Sequence, residues 1–142
     1  DYVKALCTVS LFLLASGSID KLTGHTRMVT ALCLVSPFLL TSGSQDNTVK
    51  LWDLHTHTCS QTLKGHSDRV TALCCVSPFL LATGSEDRTV KLWELHTHTC
   101  SQTLTGHTRT VTALCLVSPF LLASGSEDRT VKLWELHTHT CS

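Results

Sequence analysis

Hydrophobic residues along this chain come in short runs closed by small or turn-forming residues. "VTALCLV" (111–117) is rich in strand formers and is broken by "SP"; "FLLASGS" (120–126) follows and closes on Gly and Ser. "EDR" then predicts a turn, and "TVKLWEL" (130–136) sets Val131, Leu133 and Trp134 against polar neighbours in an imperfect alternation. Upstream, "CSQTL" (100–104) supplies a further strand before "TGH". Runs this short, and this often interrupted by Gly, Ser or Pro, do not make helices. The pattern predicts groups of four short strands and an all-β fold.

The same pattern returns. "GHTRMVTALCLVSPFLLTSGSQDNTVKLWDLHTHTCS" (24–60) starts again at Gly65 and at Gly106, a period of 41, and Trp52, Trp93 and Trp134 keep that spacing. A period in this range signals a solenoid, propeller or array. The copies are close: residues 65–101 and 106–142 differ at five of 37 positions, as do 24–60 and 106–142. Units so alike can exchange strands or slip by one repeat, because little marks the correct neighbour.

"GH", then "SGSEDRTVKLWEL", then "GH" again resembles the WD-repeat family. "LWDL" (51–54) carries its Trp-Asp pair, and Trp93-Glu94 and Trp134-Glu135 are the conservative variant. The resemblance implies blades of four-stranded antiparallel sheets in a β-propeller. It also implies a buried structural tetrad in each unit, tying the loop before the first strand to the second and third. These are His25, Ser42, Asp46 and Trp52, then His66, Thr83, Asp87 and Trp93, then His107, Ser124, Asp128 and Trp134. The same types could be taken for a hydrolase triad. Threefold repetition, a Thr in the nucleophile's place and a missing G-x-S-x-G elbow all weigh against catalysis, so no enzyme is expected.

The organisation expected is a propeller segment over 1–142, with a truncated unit at 1–23 and units at about 24–64, 65–105 and 106–142. "VKALCTVSLFLLASGSID" (3–20) matches 29–46, but "KLTGH" (21–25) follows at once, so fifteen residues with the third strand and its Trp are skipped. Ser142 falls where a fourth strand should begin. Closed propellers use about 4–8 blades, so the expectation is an incomplete or partial propeller. Three readings stay open: a fragment of a longer propeller, an open arc, and half of a homo-oligomeric ring. Twice 142 residues is 284, close to the 287 of seven such units. An open arc would expose edge strands and apolar flanks.

Charge narrows the partners. Eleven basic and eleven acidic residues cancel, so there is no broad positive field, and neither nucleic acid nor a membrane surface is expected as a partner. Apolar stretches such as "ALCLVSPFLL" (31–40) are too short to span a bilayer. "DYVKALCTVS" has neither an initiating Met nor a cleavable signal pattern and reads as a fragment boundary. Of eight cysteines, Cys7, Cys33, Cys74 and Cys115 recur at one place in the pattern and Cys59, Cys100 and Cys141 at another, leaving Cys75 outside. Most sit among Leu, Val and Ala like small core residues, which favours reduced thiols and an intracellular protein of cytoplasm or nucleus.

Two sets of residues are candidates for binding. The first follows from the resemblance: the loop after each "GH" and the turn around each tetrad Asp share one rim of the ring. That rim carries Arg27, Met28, Gln45 and Asn47 in one unit, Asp68, Arg69, Glu86 and Arg88 in the next, and Arg109, Thr110, Glu127 and Arg129 in the last. Differences gathered here on a fixed frame fit a surface for a protein or peptide partner; freely drifting loop residues would look the same. The second is "HTHTC". As one strand it would align His55, His57 and Cys59, then His96, His98 and Cys100, then His137, His139 and Cys141, as metal ligands. In the family this segment is the turn between strands three and four, which ends the shared-face argument and puts His57, His98 and His139 where Gly usually supplies φ > 0. No cofactor is expected. The leading function is a non-catalytic interaction scaffold, and the alternative is a metal-binding repeat protein using these turns.

Overall fold

Strand-forming runs separated by Pro, Gly and Asp turns fold here into hairpins laid side by side, in a computed structural model that describes residues 22–137. The expectations on the truncated unit at 1–20, on Cys7, on His139 and Cys141 and on the strand start at Ser142 lie outside these residues. The strands are β1 (Val29–Ser36), β2 (Leu39–Ser44), β3 (Thr48–Asp53), β4 (Thr58–Lys64), β5 (Val70–Ser77), β6 (Leu80–Ser85), β7 (Val90–Glu94), β8 (Thr99–Leu104), β9 (Val111–Ser118), β10 (Leu121–Ser126) and β11 (Val131–Glu135). They form three antiparallel sheets, β1-β2-β3-β4, β5-β6-β7-β8 and β9-β10-β11. The fold is all-β, as the patterning predicts.

The sheets fan out from a common side. β1 packs beside β5 and β5 beside β9, while β2 and β6 also touch the first strand of the next sheet. Outer strands β4 and β8 expose most of their side chains. This is the arrangement of propeller blades, with first strands innermost.

Between blades the core is apolar. Val49, Leu51 and Leu63 of the first sheet pack with Val70, Leu81 and Trp93 of the second. Val90, Leu92 and Leu104 of the second pack in the same way with Val111, Leu122 and Leu136 of the third. A glycine on the second strand makes the approach close enough. A Cβ on Gly43 would lie 2.6 Å from Val70 Cγ1, and one on Gly84 would lie 2.7 Å from Val111 Cγ1. Hydroxyls cross the same interface: Thr30 donates to the Val70 carbonyl and Thr71 to that of Val111.

Three details differ from the patterning. The second strand begins one residue later than expected, because Pro37-Phe38, Pro78-Phe79 and Pro119-Phe120 form the hairpin turn and leave each Phe exposed. A bulge interrupts β3 and β4 between Leu51 and Trp52, and β7 and β8 between Leu92 and Trp93. The described cysteines divide: Cys74 is half-buried against the core between the second and third sheets, Cys33 and Cys75 are half-buried, and Cys59, Cys100 and Cys115 are exposed. Cys59 and Cys100 lie on the outer strands, and Cys115 holds the place of Cys74 in a sheet that no described residue covers.

Candidate functional site

Each "GH" places its histidine in the loop before an inner strand, and the tight turn between the second and third strands brings an aspartate to meet it. Asp46 accepts from Thr48 N at 3.0 Å and from Thr48 Oγ1 at 2.6 Å, which folds the turn around the carboxylate. The His25 imidazole then spans from Asp46 Oδ2, 2.8 Å from Nδ1, to Ser42 Oγ, 2.6 Å from Nε2. Trp52 Nε1 donates to the same Ser42 Oγ at 2.8 Å. Indole N–H can only donate, so the serine oxygen accepts from it and passes its own hydrogen to Nε2, leaving Nδ1–H to donate to the carboxylate. One histidine tautomer satisfies the whole chain.

The second and third units repeat this geometry. His66 lies 2.7 Å from both Asp87 Oδ2 and Thr83 Oγ1, with Trp93 Nε1 2.9 Å from Thr83 Oγ1. His107 lies 2.7 Å from Asp128 Oδ2 and from Ser124 Oγ, with Trp134 Nε1 at 2.8 Å. The structure thus brings together all twelve residues in three sets of four. Among the described residues no buried side-chain polar atom is left without a partner.

Burial pushes the Asp46 carboxyl up, but the Thr48 hydroxyl, His25 and the backbone N–H groups of Thr26 and Thr48 outweigh it and hold it well below the usual carboxylate range. At Asp87 burial is likewise overcome, by His66 and Thr89. For Asp128 the Thr130 hydroxyl is the largest influence, and the result is again a depressed carboxyl.

The distances are those of a Ser-His-Asp triad, yet the setting is different. Ser42, Thr83 and Ser124 are 2%, 0% and 1% exposed, and each hydroxyl is held on one side by imidazole and on the other by indole. The arrangement ties three segments of one blade together and offers no open face beside the hydroxyl.

The rim candidates also meet. Gln45 N donates to Met28 O at 2.9 Å, Glu86 N to Arg69 O at 2.9 Å, and Glu127 N to Thr110 O at 3.0 Å, so the two loops of each blade run together. Arg27, Met28, Asp68, Arg88, Arg109, Glu127 and Arg129 are exposed; Gln45, Asn47, Arg69, Glu86 and Thr110 are partly so. Arg69 and Glu86 face each other at 3.8 Å across one blade, and Asn47 Nδ2 reaches Ser67 O of the next at 3.4 Å. A cavity of about 520 Å³ opens on this rim between the first two blades, with Asn47, Lys50 and Lys64 in its wall. Asn47, Arg88 and Arg129 adopt φ of 70°, 73° and 69°. Asn tolerates that conformation, but nothing in Arg announces it.

In the two "HTHTC" copies that the structure describes in full, the ligand set is not assembled. His55 stacks on Phe38 with ring centroids 4.1 Å apart, and His96 stacks on Phe79 at 4.6 Å. Thr56 and Thr58 pair their hydroxyls at 2.6 Å, His57 turns the chain at φ 56°, and Cys59 Sγ faces Gln61 O at 3.3 Å. The second copy repeats this, with His98 at φ 58° and Cys100 on Gln102 O. His137 is exposed at the end of the described chain. Among the described residues no three His, Cys, Asp or Glu side chains come together as a metal group. The hairpin reverses within the motif and sends its side chains apart. The histidine–phenylalanine stack, which patterning missed, joins the two hairpin turns on the rim opposite the tetrads, where Leu54 N also donates to Phe38 O at 2.9 Å. The recurrence of "PF" sixteen residues before "LHTHT" was its one signal.

Radial antiparallel blades, each locked by a His-Ser/Thr-Asp-Trp network, define a β-propeller repeat protein. The family described as WD domain, G-beta repeat matches residues 16–53, 57–94 and 98–135. The chain belongs to this WD-repeat family. It is also similar to the crystal structure of the computationally designed Ika4 protein, at 35% identity and a TM-score of 0.73, over 80% of this chain and 69% of that one. In all, 1051 solved chains match, a breadth at which the fold alone does not single out a function. No curated protein matches the chain.

Proposed function

We propose that this chain is a non-catalytic scaffold whose tetrad-side rim holds a protein or peptide partner. The observation that carries this reading is the joining of two loops per blade at Met28–Gln45, Arg69–Glu86 and Thr110–Glu127, which gathers most of the differences between otherwise matching repeats onto one surface. The blades below are nearly invariant, and among the described residues their buried side-chain polar atoms all have partners, so the rim can vary without disturbing the core. The WD-repeat family is a family of interaction scaffolds in general. The tetrads act as clamps that hold the loops in place: their hydroxyls are buried, and three copies leave no unique acid, base or nucleophile. Mixed charge on the rim suits a polar peptide better than a polyanion. Exposed thiols at Cys59 and Cys100 suit a reducing compartment, cytoplasm or nucleus. Among the described residues no helix is long and apolar enough to cross a membrane.

Selection of binders from a displayed random-peptide library tests the reading. Peptides recovered on the wild-type chain should lose binding to an Arg88→Glu, Arg129→Glu variant and keep binding to a Phe38→Ser, Phe79→Ser variant on the opposite rim. Peptides with the reverse preference would move the site to the Phe-His rim.

A further inference from the structure

The Trp-Asp pair of the first unit and the Trp-Glu pair of the second place their carboxylates differently. Asp53 Oδ1 accepts from His55 N at 2.8 Å and from Thr56 N at 3.3 Å, so this carboxylate caps its own hairpin turn. Glu94 makes no such bonds. One methylene longer, its side chain overshoots the turn, which is closed by His98 N on the Glu94 carbonyl at 2.8 Å. Among the described residues the Glu94 carboxylate has neither a hydrogen bond nor an ion pair. It lines a cavity of about 630 Å³ between the second and third sheets, on the rim opposite the tetrads. Leu80 and Leu92 of one sheet and Leu136 of the next form apolar walls, and Phe79, stacked on His96 at 4.6 Å, stands beside them. No lysine or arginine lines the cavity. The site lies inside the array, between two described sheets, and not on either outer face.

From this we infer that the cavity binds a small organic cation, an ammonium group carried on an apolar body. Each part of the wall selects one part of that ligand. The leucines remove the apolar body from water. The Glu94 carboxylate accepts the ammonium hydrogens, and Phe79, 57% exposed, offers ring surface to the same charge. An anion would meet an unpaired carboxylate, and a neutral apolar molecule would cover that carboxylate without giving it a partner. A metal ion would need more ligands, and no three His, Cys, Asp or Glu side chains come together among the described residues. The volume falls in the range of small-molecule sites, about 300–1,000 Å³, and a lysine side chain alone would leave most of it empty. This site is separate from the tetrad-side rim, and the scaffold reading does not depend on it.

Titration of the isotope-labelled chain with phenethylamine, followed by amide NMR shifts, tests the proposal. Shifts should concentrate on Phe79, Leu80, Glu94, His96 and Leu136. Phenethyl alcohol and hydrocinnamate keep the ring but lose or invert the charge, and should bind at least about threefold more weakly. Glu94→Gln should weaken the amine about three- to tenfold and leave the alcohol unchanged. Glu94→Asp is the sharper variant: it keeps the charge but returns the carboxylate to the turn, where Asp53 stands, so the amine should weaken as it does with Gln. Glu94 is exposed, and both variants should keep the wild-type spectrum away from the cavity. Equal binding of the three compounds overturns the proposal, as does a Glu94→Asp chain that binds as tightly as wild type. So does the lack of saturating shifts at these residues up to about 10 mM amine. Acetyl-Leu-Lys-Leu-amide carries the same charge on a peptide side chain, and tighter binding of this peptide than of the amine would overturn the assignment to a free small molecule.

Discussion

The second and third sheets contain the same strand, "VKLWE", at 90–94 and at 131–135, and they use it in opposite ways. In the second sheet Val90 and Leu92 are core residues, while in the third Val131 and Leu133 face solvent. Nothing within the strand accounts for this. The difference is the neighbour: β9 covers the second sheet, and no described residue covers the third. Burial here is a property of pairs of blades, and each repeat is stabilised by what stands beside it.

The widest separation between the two sheets should come from deleting the buried leucine. Leu92→Ala is expected to cost about 2–5 kcal/mol, and Leu133→Ala less than about 0.5 kcal/mol, measured by urea unfolding at a concentration where the chain is monomeric. Equal losses would mean that the third face is covered in solution.

The glycines come next. Gly84→Ala forces a methyl into Val111 and should destabilise by roughly 1–3 kcal/mol, whereas Gly125→Ala has open space and should be close to neutral in the same assay.

Acid should act on both sheets alike. Each tetrad aspartate binds its proton less readily in the folded state than in the unfolded chain, where a carboxyl titrates near pH 4. The stability it contributes is therefore present above about pH 4 and lost progressively as pH falls below it. Asp87→Asn and Asp128→Asn should each flatten the fall of the thermal midpoint in that window, and a midpoint that rises on acidification would contradict the bonding described. The smallest effect is expected at the strained turn. His98→Gly relieves a φ of 58° and should raise stability by up to about 1 kcal/mol, visible as a small rise in the urea midpoint.

Much of the candidate site was legible because its residues carry their spacing with them. His66, Thr83, Asp87 and Trp93 are recognisable as a set, and local turns such as the one Thr89 and Asp87 close need only adjacent residues. Cys115 was misplaced for the complementary reason. Leu and Val around Cys115 describe a strand, but they do not say which of its sides meets another sheet. "HTHTC" shows both effects: its turn conformation at His57 and His98 was foreseeable from the place of glycine in the family pattern, while the Phe38–His55 stack depends on two hairpins ending side by side.

The amino-acid sequence by itself determined the period of 41, the four-strand unit, the hydrogen-bonding set that locks each blade and the loops that vary between blades. All of these rest on residues close in the chain or on the repeat itself. Only the tertiary structure decided which of three nearly identical faces is core and which is surface. Hydrophobic burial is set by the neighbouring sheet, and identical strands carry no mark of whether that neighbour is present.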